Sequence, residues 1–443
     1  MRRYRLGLPV LLLFWAGTVS AQDFFEKIEA EPARSDSESS RIWGFSGRLT
    51  QRFHYALADP PDAFPFRRDG AGMASRRHDL QLEARYRPSS DVSVQLAARA
   101  SHDAELQDTT RLEVDQSYVE WGITPSLNIK TGRQRVSLGE SSFFQLADRI
   151  NPVDERVFGL AELRETLVPV AATRLSHYQA RSGLDVVVLH EFRSNRYDEP
   201  HGDFDPYIGQ RGLPDPLHPG QFHPSQFHPD QIDKERPDIS LSNPDLAARL
   251  FWSRPWGDIG LFASRLHSRL AVPAHQPEGR LVLDYSRATI LGASVNRVFG
   301  DWLLKSEYAF SDDASHHAVR DGQAHELMVG GRYTGISNLT LDIELLGSRI
   351  SPSGASGSEG ASNIRAAASI EYEMLNDDLV ASLAYQYWTS GSGSMIRMRL
   401  DYAVRDELGV FAGFIRYGAG SEEAMLWPYR DNDRVFAGLS LSF

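Results

Sequence analysis

The chain has 443 residues, with 59 Asp plus Glu against 47 Lys plus Arg, and its formal net charge of -12 disfavours a nucleic-acid partner. A mean hydropathy of -0.37 excludes a bundle of membrane-spanning helices, each of which needs ~20 consecutive apolar residues. It does not exclude a transmembrane β-barrel, whose strands show lipid only alternate side chains, and the absence of cysteine removes disulfide scaffolds and thiolate metal sites.

Residues 1–21 carry Arg2, Arg3 and Arg5 ahead of an uncharged apolar stretch that ends in Val19-Ser20-Ala21, which reads as a secretory signal peptide. Residues 22–42 are acidic and Ser-rich, and read as a flexible periplasmic lead-in. From Trp43 to Phe443 the pattern changes to period-two segments, and this span is read as the barrel.

In Leu339-Thr340-Leu341-Asp342-Ile343-Glu344-Leu345 the odd positions are aliphatic and the even ones polar. Leu80, Leu82, Ala84 and Tyr86 alternate in the same way with Asp79, Gln81, Glu83 and Arg85. Charges on the second face of so many strands cannot be a packed sandwich core, because an unpaired buried charge costs several kcal/mol. Lipid on one face and water on the other accommodates both.

Tight turns are expected at Pro88-Ser89-Ser90, Thr124-Pro125-Ser126, Ser182-Gly183, Pro255-Trp256-Gly257, Gly300-Asp301, Gly335-Ile336-Ser337-Asn338, Asn376-Asp377-Asp378 and Asp406-Glu407. Longer connections begin near Ala58, Asp103, Gly139, Ser194, Leu270, Ser311, Ser351, Ser390 and Gly418. Eight turns and nine loops make eighteen strands of an all-β, up-and-down antiparallel barrel with short periplasmic turns and long extracellular loops. Tyr118 to Ile123 and Gly260 to Leu266 alternate poorly, which leaves sixteen strands open.

The water-facing set names pore-lining candidates: Arg48, Arg52, Arg85, Arg99, Arg249, Arg332, Arg365, Arg397 and Arg399, with Asp79, Glu83, Glu344 and Glu371 among the carboxylates of the same face. Of the 47 basic residues only Lys27, Lys130, Lys234 and Lys305 are lysine. An arginine is always charged and offers a planar fork to carboxylate, sulfate or phosphate. Ion-pair ladders that brace the wall and a selectivity lining for a polar or anionic solute are both open for a face of such mixed charge.

Gly132-Arg133-Gln134 runs into a connection bearing Asp148-Arg149-Ile150-Asn151-Pro152-Val153-Asp154. This resembles Gram-negative outer-membrane porins of the alginate-export type and a related group of uncharacterised large barrels. The resemblance implies a monomeric eighteen-stranded channel in outer-membrane lipid, with an alginate-like polysaccharide as one possible exported substrate. It also implies that the connection from about Gly139 to Pro169 folds inward, with Asp148, Arg149, Asn151, Asp154, Arg156, Arg164 and Glu165 as constriction candidates. The alternative is that Asp148 and Asn151-Pro152 simply cap a loop turn.

Three tandem pentapeptides, each opening on His-Pro at His218, His223 and His228, lie in the long connection after Ser194. No carboxylate stands at a fixed ligand spacing, so an extended surface loop is favoured, and neither a metal nor another cofactor is expected. His78-Asp79, His102-Asp103 and His190-Glu191 have no companion nucleophile, and neighbours on a strand point to opposite faces, so no enzyme is expected. The final strand puts Val435, Ala437, Leu439, Leu441 and Phe443 on one face, resembling the signal read by the barrel-assembly machinery. A plugged or partner-coupled barrel serving lipid or polymer export, or a barrel-scaffold enzyme, stays as the alternative to a channel.

Overall fold

The computed structural model describes residues 42–58, 71–105, 110–156, 158–161, 163–197, 203–204, 234–239, 243–275, 281–314, 322–352, 361–421 and 424–443. The proposed signal peptide and nearly all of the lead-in, the His-Pro repeats and the Arg164 side chain lie outside the described residues. All the strands belong to one unit, Ser40–Phe443.

Eighteen antiparallel strands close into a barrel. The first six are β1 (Trp43–Ala56), β2 (Gly72–Tyr86), β3 (Val92–Asp103), β4 (Arg111–Val114 and Ser117–Thr124, broken at Asp115-Gln116), β5 (Leu127–Gln134) and β6 (Val170–Gln179). The next six are β7 (Ser182–Leu189), β8 (Leu246–Arg254), β9 (Gly257–His267), β10 (Arg287–Phe299), β11 (Trp302–Ser311) and β12 (Gly322–Ile336). The last six are β13 (Leu339–Pro352), β14 (Ala361–Met374), β15 (Leu379–Trp388), β16 (Gly393–Arg405), β17 (Leu408–Gly418) and β18 (Arg434–Ser442). Each strand pairs with its sequence neighbour, and β1 pairs with β18 from Arg48↔Ser442 to Ala56↔Arg434, so the sheet has no free edge. At that seam the Gly47 N–H donates to the Phe443 carbonyl at 2.7 Å. A second, three-stranded sheet of Lys234–Glu235, Val272–His275 and Leu281–Asp284 is built from the long connections.

Alternation fixes the two faces. Leu49, Leu82, Leu96, Leu261, Leu345 and Leu439 are all more than a third exposed and stand on the outer face, where an apolar skin is stable only against lipid. Trp43 stacks on Tyr86 at 4.2 Å and Trp302 packs on Tyr333 at 5.0 Å, both at the tight-turn end, as an interfacial aromatic belt would.

One expected turn is corrected. The turn between β6 and β7 is Ala180-Arg181, two residues before Ser182-Gly183. Gly183 stays in the strand because its bare Cα admits the Phe251 ring, which a Cβ there would meet at 2.3 Å. Gly260 to Leu266 is a full strand, and its weak alternation has a physical source: Phe262 and Leu266 face inward yet are buried beneath an inward-folded connection.

Candidate functional site

The connection from Arg135 to Pro169 folds into the barrel. Its apolar residues Val136, Leu138, Phe144, Leu146, Ala147 and Ile150 pack into one cluster with inward side chains of β6 to β14, among them Phe262, Leu266, Ile290, Met328 and Leu346. Farther on, Phe158 and Leu160 pack against Trp388, Met395, Ile415 and Tyr429, and the Tyr417 hydroxyl donates to the Phe158 carbonyl. One segment is therefore tied to two separate parts of the wall and spans the lumen.

The ties are carboxylates meeting backbone N–H groups. Glu307 on β11, only 2% exposed, accepts from Glu140 N–H at 2.7 Å and Ala147 N–H at 3.1 Å. Glu344 on β13 accepts from Ser142 N–H at 2.8 Å and from the Ser141 hydroxyl at 2.5 Å. Glu140 in turn receives Arg249 at 2.7 Å and the Asn296 amide at 3.2 Å. Arg149 reaches Glu326 on β12, whose other carboxylate oxygen lies 3.8 Å from Arg365 on β14. Hydrogen bonds to ionised partners contribute about 1.5–3 kcal/mol each where water is excluded, so this set holds the loop firmly.

The loop stem gives the Gly-Arg-Gln motif its local reasons. Gly132 has φ +128°, a conformation that favours glycine, and a Cβ there would stand 2.4 Å from the Ser117 carbonyl. Arg133 pairs with Glu191 at 2.9 Å. Gln134, 1% exposed, donates to the Ala172 carbonyl at 2.9 Å and ends the strand.

All thirteen wall residues named from the sequence occupy inner-face positions in the register, for example Arg48↔Gln81, Arg99↔Gln81, Arg332↔Asp342 and Arg397↔Ile415. They do not form one lining. Arg249, Glu344 and Arg365 sit beneath the loop, bound to Glu140, to Ser141 with Ser142, and to Glu326. Arg48, Arg52, Asp79, Glu83, Arg85, Arg99, Arg397 and Arg399 stand on the arc from β16 through β18 and β1 to β3, alongside Arg77 and Arg434. Arg85 and Arg99 are partly exposed although they point inward, at 37% and 35%, whereas Arg397 and Arg434 are buried, so water reaches part of this arc. Arg332 is bound to Asp342 at 2.8 Å, and Glu371 opposes Thr340. The inner wall is thus divided: buried Glu307, Glu326 and Glu344 hold the loop on one side, and the arginine-rich arc lies opposite.

The constriction candidates divide in the same way. Asp148 and Asn151 do not edge the lumen: they are 8% and 1% exposed and accept from Leu138 N–H at 3.0 Å and Val136 N–H at 3.2 Å, bracing the loop internally. Arg156 is folded onto Asp154 at 2.7 Å, and Arg196 lies 3.6 Å from the same carboxylate. Glu165 is exposed on a one-turn helix, Leu163–Thr166. Burial pushes Glu155 up to about 7, against the lowering effect of the Asn195 amide that donates to it at 3.1 Å. Burial likewise raises Asp154 to about 6, opposed by Arg196. His78 and His102 stack across β2 and β3, while Asp79 takes the opposite face from His78.

Sequence reasoning did not single out Glu140, Glu326, Phe158 or Trp388. One signal was present: apolar residues at inward positions, such as Met328 and Leu346, mark where something packs on the inner wall.

Barrel and loop together define an outer-membrane-type β-barrel whose lumen is crossed by an inward-folded connection. Residues 66–443 match the model of a family described as a protein of unknown function (DUF1302), and the chain belongs to that family. Among solved structures the chain is similar to Acinetobacter baumannii OccAB3, with TM-score 0.52, 11% identity, and 90% of this chain and 99% of that chain covered. It is also similar to OccAB4 of the same organism, with TM-score 0.50, 11% identity and coverage of 91% and 98%. No curated protein matches the chain in sequence. The comparisons do not support the alginate-export type.

Proposed function

We propose that this protein is a monomeric channel of the Gram-negative outer membrane for passive passage of a small polar or anionic solute. The observation that carries the reading is the divided inner wall. The loop is tied down by the carboxylates of β11 to β13, and the partly exposed guanidiniums of the opposite arc are left facing water. Fixed positive charge along a low-dielectric wall attracts anions and stands in for part of their hydration. The barrel fold shared with OccAB3 supports the channel class. The polyuronate chain implied by the sequence resemblance fits this lumen less well than a small solute, because the loop that crosses it is anchored on both sides. Assembly through the strand that ends at Phe443 belongs to the same reading.

Planar-bilayer recording tests it. The expected result is a stable single-channel current in KCl, with a reversal potential under a salt gradient that favours chloride. Silent bilayers containing correctly folded protein would refute the channel, and cation preference would refute the role given to the arginines.

A further inference from the structure

On the long-loop side of the inward segment lies a cavity of about 660 Å³. Its size falls within the ~300–1,000 Å³ of sites that enclose small organic ligands. Phe144, Phe158, Leu270, Trp388, Met395 and Met425 supply apolar and aromatic surface, with Phe158 and Trp388 at a ring separation of 6.5 Å. The polar lining includes Asp154, Glu155, Asn195, His267 and Arg269 as well as Arg149, Glu326 and Arg365, and the last three form one group. Arg149 and Arg365 both approach Glu326, so two guanidiniums converge on one carboxylate. Trp388 is the register partner of Arg365 on the adjoining strand.

Two donors on the lining residues lack an acceptor. Arg149 Nη1 and Trp388 Nε1 are buried with no hydrogen-bond partner among the described residues, and Trp388 is only 4% exposed. A buried N–H left unmade is costly, and native proteins keep such groups chiefly where something else will accept from them. Arginine stacked on an aromatic face is a further anion-ready arrangement, and Arg365 lies 5.2 Å from the Phe144 ring centre. We propose that this vestibule is a binding site for amphipathic organic acids: a flat apolar or aromatic body against Phe158, Trp388 and Met395, and an acid group at Arg149, Arg365 and the Trp388 indole N–H. The site names a substrate class for the channel, and it rests on the channel reading for the passage of the bound acid through the barrel.

The probe is 1-naphthoate, with naphthalene-1-methanol as the neutral isostere and acetate as the headgroup alone, titrated calorimetrically into the full-length refolded barrel. Naphthoate is expected to bind at least about tenfold more tightly than either control, since one charge-assisted contact is of that order. Arg365→Gln is expected to weaken naphthoate about tenfold or more with the alcohol unchanged, and Trp388→Phe, which keeps a ring and removes the N–H, to weaken naphthoate roughly threefold to tenfold and the alcohol by less. If Arg365→Gln fails to give the heat-dependent gel shift of a folded barrel, Trp388→Phe decides alone. Equal binding of naphthoate and the alcohol, or unchanged naphthoate affinity in a folded variant, overturns the site. KCl current recorded without naphthoate separates the two readings: a conducting barrel that ignores naphthoate overturns the vestibule and leaves the channel, whereas naphthoate binding to a silent barrel overturns the channel and leaves the vestibule.

Discussion

The Lys305 ammonium on β11 sits 2.6 Å from Glu344 Oε1 on β13, with 3% and 0% of their side chains exposed. Glu344 also accepts from Ser141 and Ser142, and Lys305 donates to the Ser142 hydroxyl at 2.8 Å, so a buried wall pair and the loop share one hydrogen-bonded unit. Removing one partner of such a pair strands the other charge in a dry site, at about 3–5 kcal/mol. Glu344→Ala is therefore expected to release the first half of the loop. Limited proteolysis should cut between Gly139 and Ala147, and single-channel current should become larger and noisier. An uncut loop with unchanged current in this variant would remove Glu344 from its anchoring role.

The seat of the loop should also depend on pH. Glu155 titrates near 7 when folded, because burial disfavours its charge, against 4.5 for an unperturbed carboxyl. Its folded value is raised, so the native loop holds an extra proton between those limits, and stability falls as pH rises through them. Loop stability is expected to be highest below about pH 4.5, to decline by roughly 3 kcal/mol towards pH 7, and to level off above. Asp154, raised by burial to about 6, titrates inside the same window. Hydrogen exchange of loop amides across this range provides the measurement, and Glu155→Gln should flatten the upper part of the curve. A loop whose protection is constant from pH 5 to 8 would contradict this.

Anion preference should be spread along the uncovered arc. Arg85, Arg99 and Arg399 are 37%, 35% and 28% exposed and are paired with Glu83, Asp115 and Asp401 at 3.1, 3.4 and 2.6 Å. Neutralising each to Gln removes one positive charge from the lumen, so the reversal potential under a KCl gradient is expected to move towards cations with every substitution, and least for Arg99, because Asp115 keeps Arg135 at 2.9 Å. Arg416→Gln on the outer face, with a side chain 75% exposed, serves as the control. Equal shifts in the control and the lumen variants would show that net charge, rather than position, sets selectivity.

Strand number and face were legible because lipid outside and water inside impose a period of two on every strand that touches both. Arg48, Asp79 and Arg397 could be assigned to the inner face on that ground alone. The signal fades at Phe262, Leu266 and Ile290, where the loop replaces water and both faces become apolar. The motif around Asp148 and Asn151 marked the loop that turns inward, but its ties, such as Glu140 to Glu307, join residues far apart in the chain and leave no local pattern. The vestibule was illegible for the same reason: Arg149, Arg365 and Trp388 are brought together by barrel closure and loop entry.

Gly132→Ala should separate backbone strain from loss of packing at the loop stem. Gly132 sits at φ +128°, and an added Cβ would meet the Ser117 carbonyl at 2.4 Å and Tyr118 Cα at 2.7 Å, both main-chain atoms that cannot swing aside. Holding a residue other than glycine in such a conformation costs about 1–3 kcal/mol before any clash is counted. The strand pairs Gly132 with Tyr118, whose ring carries the Lys130 ammonium at 3.8 Å, and two residues on Gln134 fixes the stem to Ala172. The variant is expected to unfold at lower temperature in the gel-shift assay and to loosen the loop from its stem. Gly44→Ala is the matched control, since a Cβ there has nothing within 4 Å and no positive φ. Equal thermal stability of the two variants would show that the stem tolerates a side chain and that the glycine of this motif is not a conformational requirement.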